Sequence, residues 1–231
     1  MKNFSISKLI INQKVFNPTG TSNLLIEVSK EIINSKKKKI LDLGCGCGIV
    51  GISLAKTLDI KSKIYFSDIS IDACKNTKQN CNKFKINCEI KKGSNLNPWT
   101  GCKFDFILSD VAAVAKKVSE ISPWYKNCIN NSGIDGTDHI LEIIQDVQNY
   151  LSKGGSFIFP IISLSNEKKI LAEAKKKFRV LKKLKSQVWP MPKEISKKLK
   201  LLQNLKKKGI INFQNKLGML TFTTNIYLAK K

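Results

Sequence analysis

Between Lys39 and Gly51 the chain reads Lys-Ile-Leu-Asp-Leu-Gly-Cys-Gly-Cys-Gly-Ile-Val-Gly, and no other stretch restricts the fold as much. Ile40 to Leu43 is a short apolar run, broken only by Asp42, of the kind that forms a buried parallel strand. It passes straight into glycines at every second position, Gly44, Gly46 and Gly48. A chain that must turn sharply and let a ligand lie on bare backbone needs residues without a Cβ. A helix beginning near Gly48 aims its first N–H groups at the same place. The pattern therefore predicts a strand, a ligand-binding turn and a helix.

Two cofactor classes use such a turn. Gly46-x-Gly48-x-x-Gly51 satisfies the dinucleotide spacing, and Asp68 follows a second apolar run at about the position of a ribose-binding acid. Asp42, two residues before the first glycine, weighs against a pyrophosphate, which its carboxylate repels, and favours a ligand with a cationic end. A glycine-rich turn with no ligand is the third alternative. The pattern Asp42-x-Gly44-x-Gly46-x-Gly48, with Asp68 at the next strand end, resembles the S-adenosylmethionine loop of class I methyltransferases. That resemblance implies that Asp42, Gly44, Cys45, Gly46 and Gly48 hold the methionine half of the cofactor, and that Asp68 and Ile69 hold the ribose side.

The chain has 231 residues, enough for one α/β domain with small additions. Its 7 cysteines include no CxxC pair, so they read as reduced thiols of a cytoplasmic protein. Cys45 and Cys47 lack the partners of a zinc site, and no metal is expected. The N-terminus has no signal-peptide core, and no apolar run reaches membrane-spanning length. The formal net charge of +24 is the footprint of a nucleic-acid binder. Against that, Arg179 is the single arginine, and the abundance of Lys, Asn and Ile is what AT-rich coding produces. The side chain best shaped for bidentate phosphate contacts is nearly missing.

Along the chain, residues 4 to 16 read as one or two short strands, and apolar spacing predicts a helix from Ser22 to Asn34. The entry Val15-Phe16-Asn17-Pro18-Thr19-Gly20-Thr21 resembles the segment ahead of the cofactor loop in release-factor glutamine methyltransferases of the HemK/PrmC type. Phe16 and Thr21 thereby become candidates for the cofactor pocket. Helices are predicted over 49–58, 71–84, 137–151 and 165–177, and strands over 62–67, 86–90, 103–110, 156–162, 178–188 and 220–229. A Lys153-Gly154-Gly155 turn precedes the strand at 156. Asp68 has a second reading, as an N-cap for the helix that follows it.

In the loop Lys92-Gly93-Ser94-Asn95, methyltransferases commonly carry an acid that accepts the adenine amino group; here Ser94 or Asn95 takes its place. The strand at 103–110 ends Asp110-Val111-Ala112-Ala113, where the glutamine and base N-methyltransferases have Asn/Asp-Pro-Pro-Tyr/Phe. Asp110 is thus the candidate catalytic residue, and methylation of a release-factor glutamine does not carry over. Trp124 and Tyr125 read either as an acceptor-stacking pair or as a packed lid. Gly133-Ile134-Asp135-Gly136 resembles the Gly-x-Asp-Gly segment of HemK-like enzymes. His139, the only histidine, is a lesser candidate base. Trp189 to about residue 212 is an insertion whose Leu199, Leu202 and Leu205 are expected to pack on the body.

The resemblance implies an α/β fold with a Rossmann-like, seven-stranded, mostly parallel sheet and a C-terminal antiparallel hairpin. The expected organisation is N-terminal cap strands and helix over 1–35, and a methyltransferase domain over 36–231. The implied activity is methyl transfer from S-adenosylmethionine to a nitrogen of a protein side chain or small molecule. An RNA methyltransferase acting on rRNA or tRNA, and a cofactor-binding protein without catalysis, remain as alternatives. The sequence names neither the acceptor nor an oligomeric state.

Overall fold

Each short β-branched and aromatic run followed by a helical pattern forms one parallel strand and its crossover, as alternating β and α segments require. The computed structural model describes residues 6–34, 37–111, 113–126, 128 and 132–231; the 35/36 division expected above lies outside them. In chain order come α1 (Gly20–Ile32), β1 (Ile40–Leu43), α2 (Ile49–Thr57), β2 (Ile64–Asp68), α3 (Ile71–Lys83), β3 (Cys88–Lys92) and β4 (Phe104–Ser109). There follow α4 (Lys116–Ser119), α5 (Asp138–Asp146), β5 (Leu151–Ile162), α6 (Glu167–Lys177) and β6 (Val180–Pro190). The chain closes with α7 (Lys193–Ser196), α8 (Leu199–Lys207), β7 (Gln214–Lys216) and β8 (Met219–Lys230).

The sheet order is β3-β2-β1-β4-β5-β8-β6, with β7 paired to β8. β1 to β5 are parallel, whereas β8 runs antiparallel to both β5 and β6. Strand order reverses between β1 and β4, which opens a crevice beyond their C-terminal ends. The Gly turn after β1 and Asp110 after β4 stand on either side of it. Alternate residues of the buried strands feed two cores. Ile40, Ile64 and Phe66 pack with Leu25 of α1 and Ile52 of α2. On the other face Leu41, Phe157 and Phe159 pack with Ile143 of α5 and Ile170 of α6.

Three expectations need correction. The N-terminal segment forms no strand among the described residues; it has a 3-10 turn at Ile6–Lys8. Two carboxamides of α3 do the work of a neighbouring strand. Asn80 accepts from the Ile10 N–H and donates to its carbonyl, and Asn76 accepts from Asn12 N and donates to Ile10 O. The seven strands of the expected sheet are present, and among the described residues a short eighth, β7, pairs to β8 beside them. The Lys153-Gly154-Gly155 turn lies inside β5, where the register to β4 shifts between Phe104 and Phe106. Gly154 at φ 77 makes that irregularity possible, and a Cβ on Gly155 would stand 2.8 Å from the Phe104 carbonyl. In the insertion Leu202 and Leu205 are buried, but Leu199 is 42% exposed. The insertion joins Val114, Val118 and Phe222 in a third apolar cluster at the sheet edge.

Candidate active site

The turn after β1 is held from below. Gly44 N and Cys45 N donate to Ser67 O at 2.8 and 3.0 Å, and Thr77 Oγ1 donates to Gly46 O at 2.9 Å. Gly44, Gly46 and Gly48 all have positive φ (72, 55 and 81°), a region that favours glycine. A Cβ on Gly44 would meet Val111 Cγ2 at 2.3 Å, whereas one on Gly46 would meet nothing within 4 Å among the described residues. Gly46 therefore presents bare backbone to open space.

That space is a cavity of 760 Å³ lined by Asp42, Gly44, Cys45, Gly46, Asp68, Ile69, Ser94, Asn95 and Asp110, all of them candidates from the sequence. Gly48 sits behind the turn, where a Cβ would stand 3.0 Å from the side chains of Ile52 and Thr77. Asp42 is buried; one carboxylate oxygen accepts from Gly51 N at 2.8 Å and the other has no partner among the described residues. Burial pushes the Asp42 carboxyl well above the usual range, and the nearby Asp110 and Asp68 carboxyls push it the same way, against the Gly51 hydrogen bond. Asp68 accepts from Gly46 N at 3.0 Å and from Ser70 N at 2.9 Å, and burial raises it as well. The N-cap of α3 is Ser70, whose hydroxyl accepts from Ala73 N, so Asp68 ties the glycine turn to the helix entry instead of capping it.

Two carboxyls disfavoured as anions, one of them with an oxygen left unpartnered among the described residues, fit a ligand that brings positive charge. They fit poorly with a pyrophosphate. A sulfonium and an ammonium, such as S-adenosylmethionine carries, match these acceptors and the cradle over Gly46.

Asp110 lies at the end of β4, where one oxygen accepts from Ser22 Oγ at 2.5 Å. Burial raises its carboxyl to about 7, with the Ser22 hydrogen bond opposing. It also borders a second cavity of 390 Å³, and Phe16 and Tyr125 line both. Trp124 lines only the second, together with Thr21, Trp189, Met191 and Phe222.

Thr21 thus stands apart from the candidate cofactor cavity. Its hydroxyl meets Thr224 Oγ1 at 3.3 Å, and the residue at the cofactor side is its neighbour Ser22. Trp189 donates from Nε1 to Thr224 Oγ1 at 3.2 Å and packs on Gly20, where a Cβ would stand 2.7 Å from the indole. His139 is half-buried on the wall of the first cavity. Sequence reasoning passed over Ser22, Thr77 and Trp189. Only the helical spacing that turns Ser22 and Ser29 inward with Leu25 pointed to the first of them. Among the described residues no cluster of three or more metal-ligating side chains exists, and no helix is long and apolar enough to cross a membrane.

A family model described as methyltransferase small domain matches residues 15–117. A candidate protein N5-glutamine methyltransferase of Methanocaldococcus jannaschii is 30% identical over 168 residues, 73% of this chain and 82% of that protein. A release factor glutamine methyltransferase of Borreliella burgdorferi is 29% identical over 163 residues, 68% of this chain; the chain spans only 56% of that relative. Among solved structures, a precorrin-6y C5,15-methyltransferase of Geobacter metallireducens superposes with a TM-score of 0.61 at 12% identity, covering 99% of this chain and 97% of that one. At such identity the likeness concerns the fold alone.

Proposed function

The chain belongs to the HemK-like group of the methyltransferase small-domain family, class I S-adenosylmethionine-dependent methyltransferases, and on that premise we propose that it methylates a nitrogen of a protein side chain or a small molecule presented at Asp110. The observation that carries the reading is the meeting of two cavities at one half-buried carboxylate. The larger has the charge and bare backbone that a sulfonium cofactor needs; the smaller is walled by rings.

In this reading Asp42 receives the ammonium of the methionine half beside the glycine turn, and Asp68 accepts from the ribose hydroxyls. Ser94 and Asn95 lie on the adenine side, Asn95 held by donation to Glu142 at 2.7 Å. When bound, S-adenosylmethionine supplies an already activated methyl group, so alignment and exclusion of water are what remain for the protein. Asp110 orients the acceptor and takes its proton, while Phe16 and Tyr125, with ring centroids 5.5 Å apart, cover the junction. The names of the glutamine methyltransferases among its relatives favour a nitrogen acceptor. The missing Pro-Pro-aromatic sequence after Asp110 sets that acceptor apart from a release-factor glutamine.

The test is incubation of the purified protein with methyl-labelled S-adenosylmethionine and a cell extract, followed by separation of protein, RNA and low-mass fractions. Label in protein or in low-mass nitrogen compounds supports the reading. Label confined to RNA replaces it with an RNA methyltransferase, and bound cofactor without transfer to any fraction replaces it with a non-catalytic binding protein.

A further inference from the structure

Among the described residues lining the second cavity, Asp110 is the one acid and Lys193, on the exposed side, the one base. Three stretches far apart in sequence supply the rings around them. Phe16 comes from the entry to α1, Trp124 and Tyr125 from the turn after α4, and Trp189 from the end of β6. Trp124 is braced edge-on against Phe222 at 5.4 Å between centroids. None of the ion pairs among the described residues includes Asp110.

A carboxylate is an acceptor only. A carboxamide presented to it gives up N–H hydrogen bonds but brings no positive charge to balance the carboxylate, and the Trp189 N–H is already committed to Thr224. An alkylammonium has donors and no acceptor, carries the charge that Asp110 lacks as a partner, and is attracted by aromatic rings in a desolvated site. Its charge is complementary to the buried carboxyl and its aromatic surround, with Lys193 kept to the exposed side.

Resting on the methyl-transfer reading, we infer that the second cavity is the acceptor site and that its acceptor is a primary alkylamine, bound as the ammonium, from a lysine side chain or a free small molecule. The ammonium transfers one proton to the Asp110 carboxylate. The lone pair this frees forms the N–C bond as the methyl C–S bond breaks, its electron pair passing to sulfur. The product is a secondary ammonium and a thioether, and Asp110 returns its proton to water. Burial raises the proton affinity of this carboxyl above that of an exposed one, which suits it to take the proton.

The full chain is assayed with methyl-labelled S-adenosylmethionine against a lysine-bearing peptide, the same peptide with glutamine in place of lysine, free lysine, and an adenosine-containing oligoribonucleotide. Label in the lysine peptide or in free lysine is expected, and the ratio between them distinguishes the two sources. Asp110→Asn should lower amine methylation at least 100-fold while cofactor affinity by calorimetry stays within about threefold, because a neutral amide cannot accept the proton. Trp189→Ala should raise the KM for the amine at least tenfold. Label in the glutamine peptide or the oligonucleotide alone, no label in either amine, or undiminished amine methylation by Asp110→Asn overturns the inference. Cofactor affinity of the unaltered protein is read separately: its absence removes the methyl-transfer reading itself, whereas cofactor binding without amine turnover removes only the choice of acceptor.

Discussion

Asp110 gathers most of the site's chemistry into one side chain, and its environment makes its charge depend on pH in a measurable way. Burial raises the folded-state carboxyl to about 7, while the ordinary value in an unfolded chain is 3.8. Between those values the folded state holds more protons than the unfolded one, so stability falls as pH rises through that window. Asp42 and Asp68 are raised in the same direction. The ligand-free protein should therefore melt several degrees lower at pH 8 than at pH 5, at about 2–4 °C per kcal/mol for a domain of this size. Asp110→Asn should shrink that difference; a melting temperature that climbs with pH would contradict the assignment. Ser22 donates to the charged form, so Ser22→Ala should push the acidic limb of the pH–rate profile to higher pH without abolishing cofactor binding. An unmoved limb would leave Ser22 a purely structural residue.

The elements that place these residues are the strand ends and the packing beneath the glycine turn. α2 approaches β1 and β2 closely because Gly51 has no side chain: a Cβ there would stand 2.5 Å from the Phe66 ring and 3.1 Å from Ile64. Gly51→Ala should cost about 1–3 kcal/mol by overpacking and loosen Asp42, whose carboxylate accepts from Gly51 N. Chemical denaturation measures the first effect and cofactor affinity the second. The central β-α-β succession was legible because apolar runs and glycines alternate plainly there. The N-terminal segment was not, since its backbone partners are the side chains of Asn76 and Asn80, which local periodicity does not reveal. β7 escaped notice because Gln214–Lys216 is fully polar and exposed; only its pairing with β8 makes it a strand. The division between the two cavities was also beyond the sequence, because Thr21 and Ser22 are adjacent residues that face different ones.

For the whole molecule, sheet order decides where chemistry takes place. The reversal between β1 and β4 brings Asp42 and Asp110, 68 positions apart in the chain, to one crevice. The charge of +24 bears on association rather than on the fold. If it reflects composition alone, RNA oligonucleotides of unrelated sequence should bind equally and weakly, with Kd of about 10⁻⁴–10⁻⁶ M at physiological salt, and weaken steeply as salt rises. Sequence-selective binding that survives added salt would instead favour an RNA acceptor. The central claim, that the crevice holds a sulfonium cofactor, is tested most directly by calorimetric titration with S-adenosylmethionine and, separately, NADH, on the unaltered protein and on Asp68→Ala. Micromolar binding of S-adenosylmethionine alone, weakened about 100-fold or more by Asp68→Ala, is the predicted result; binding of NADH instead, or of neither, would contradict it.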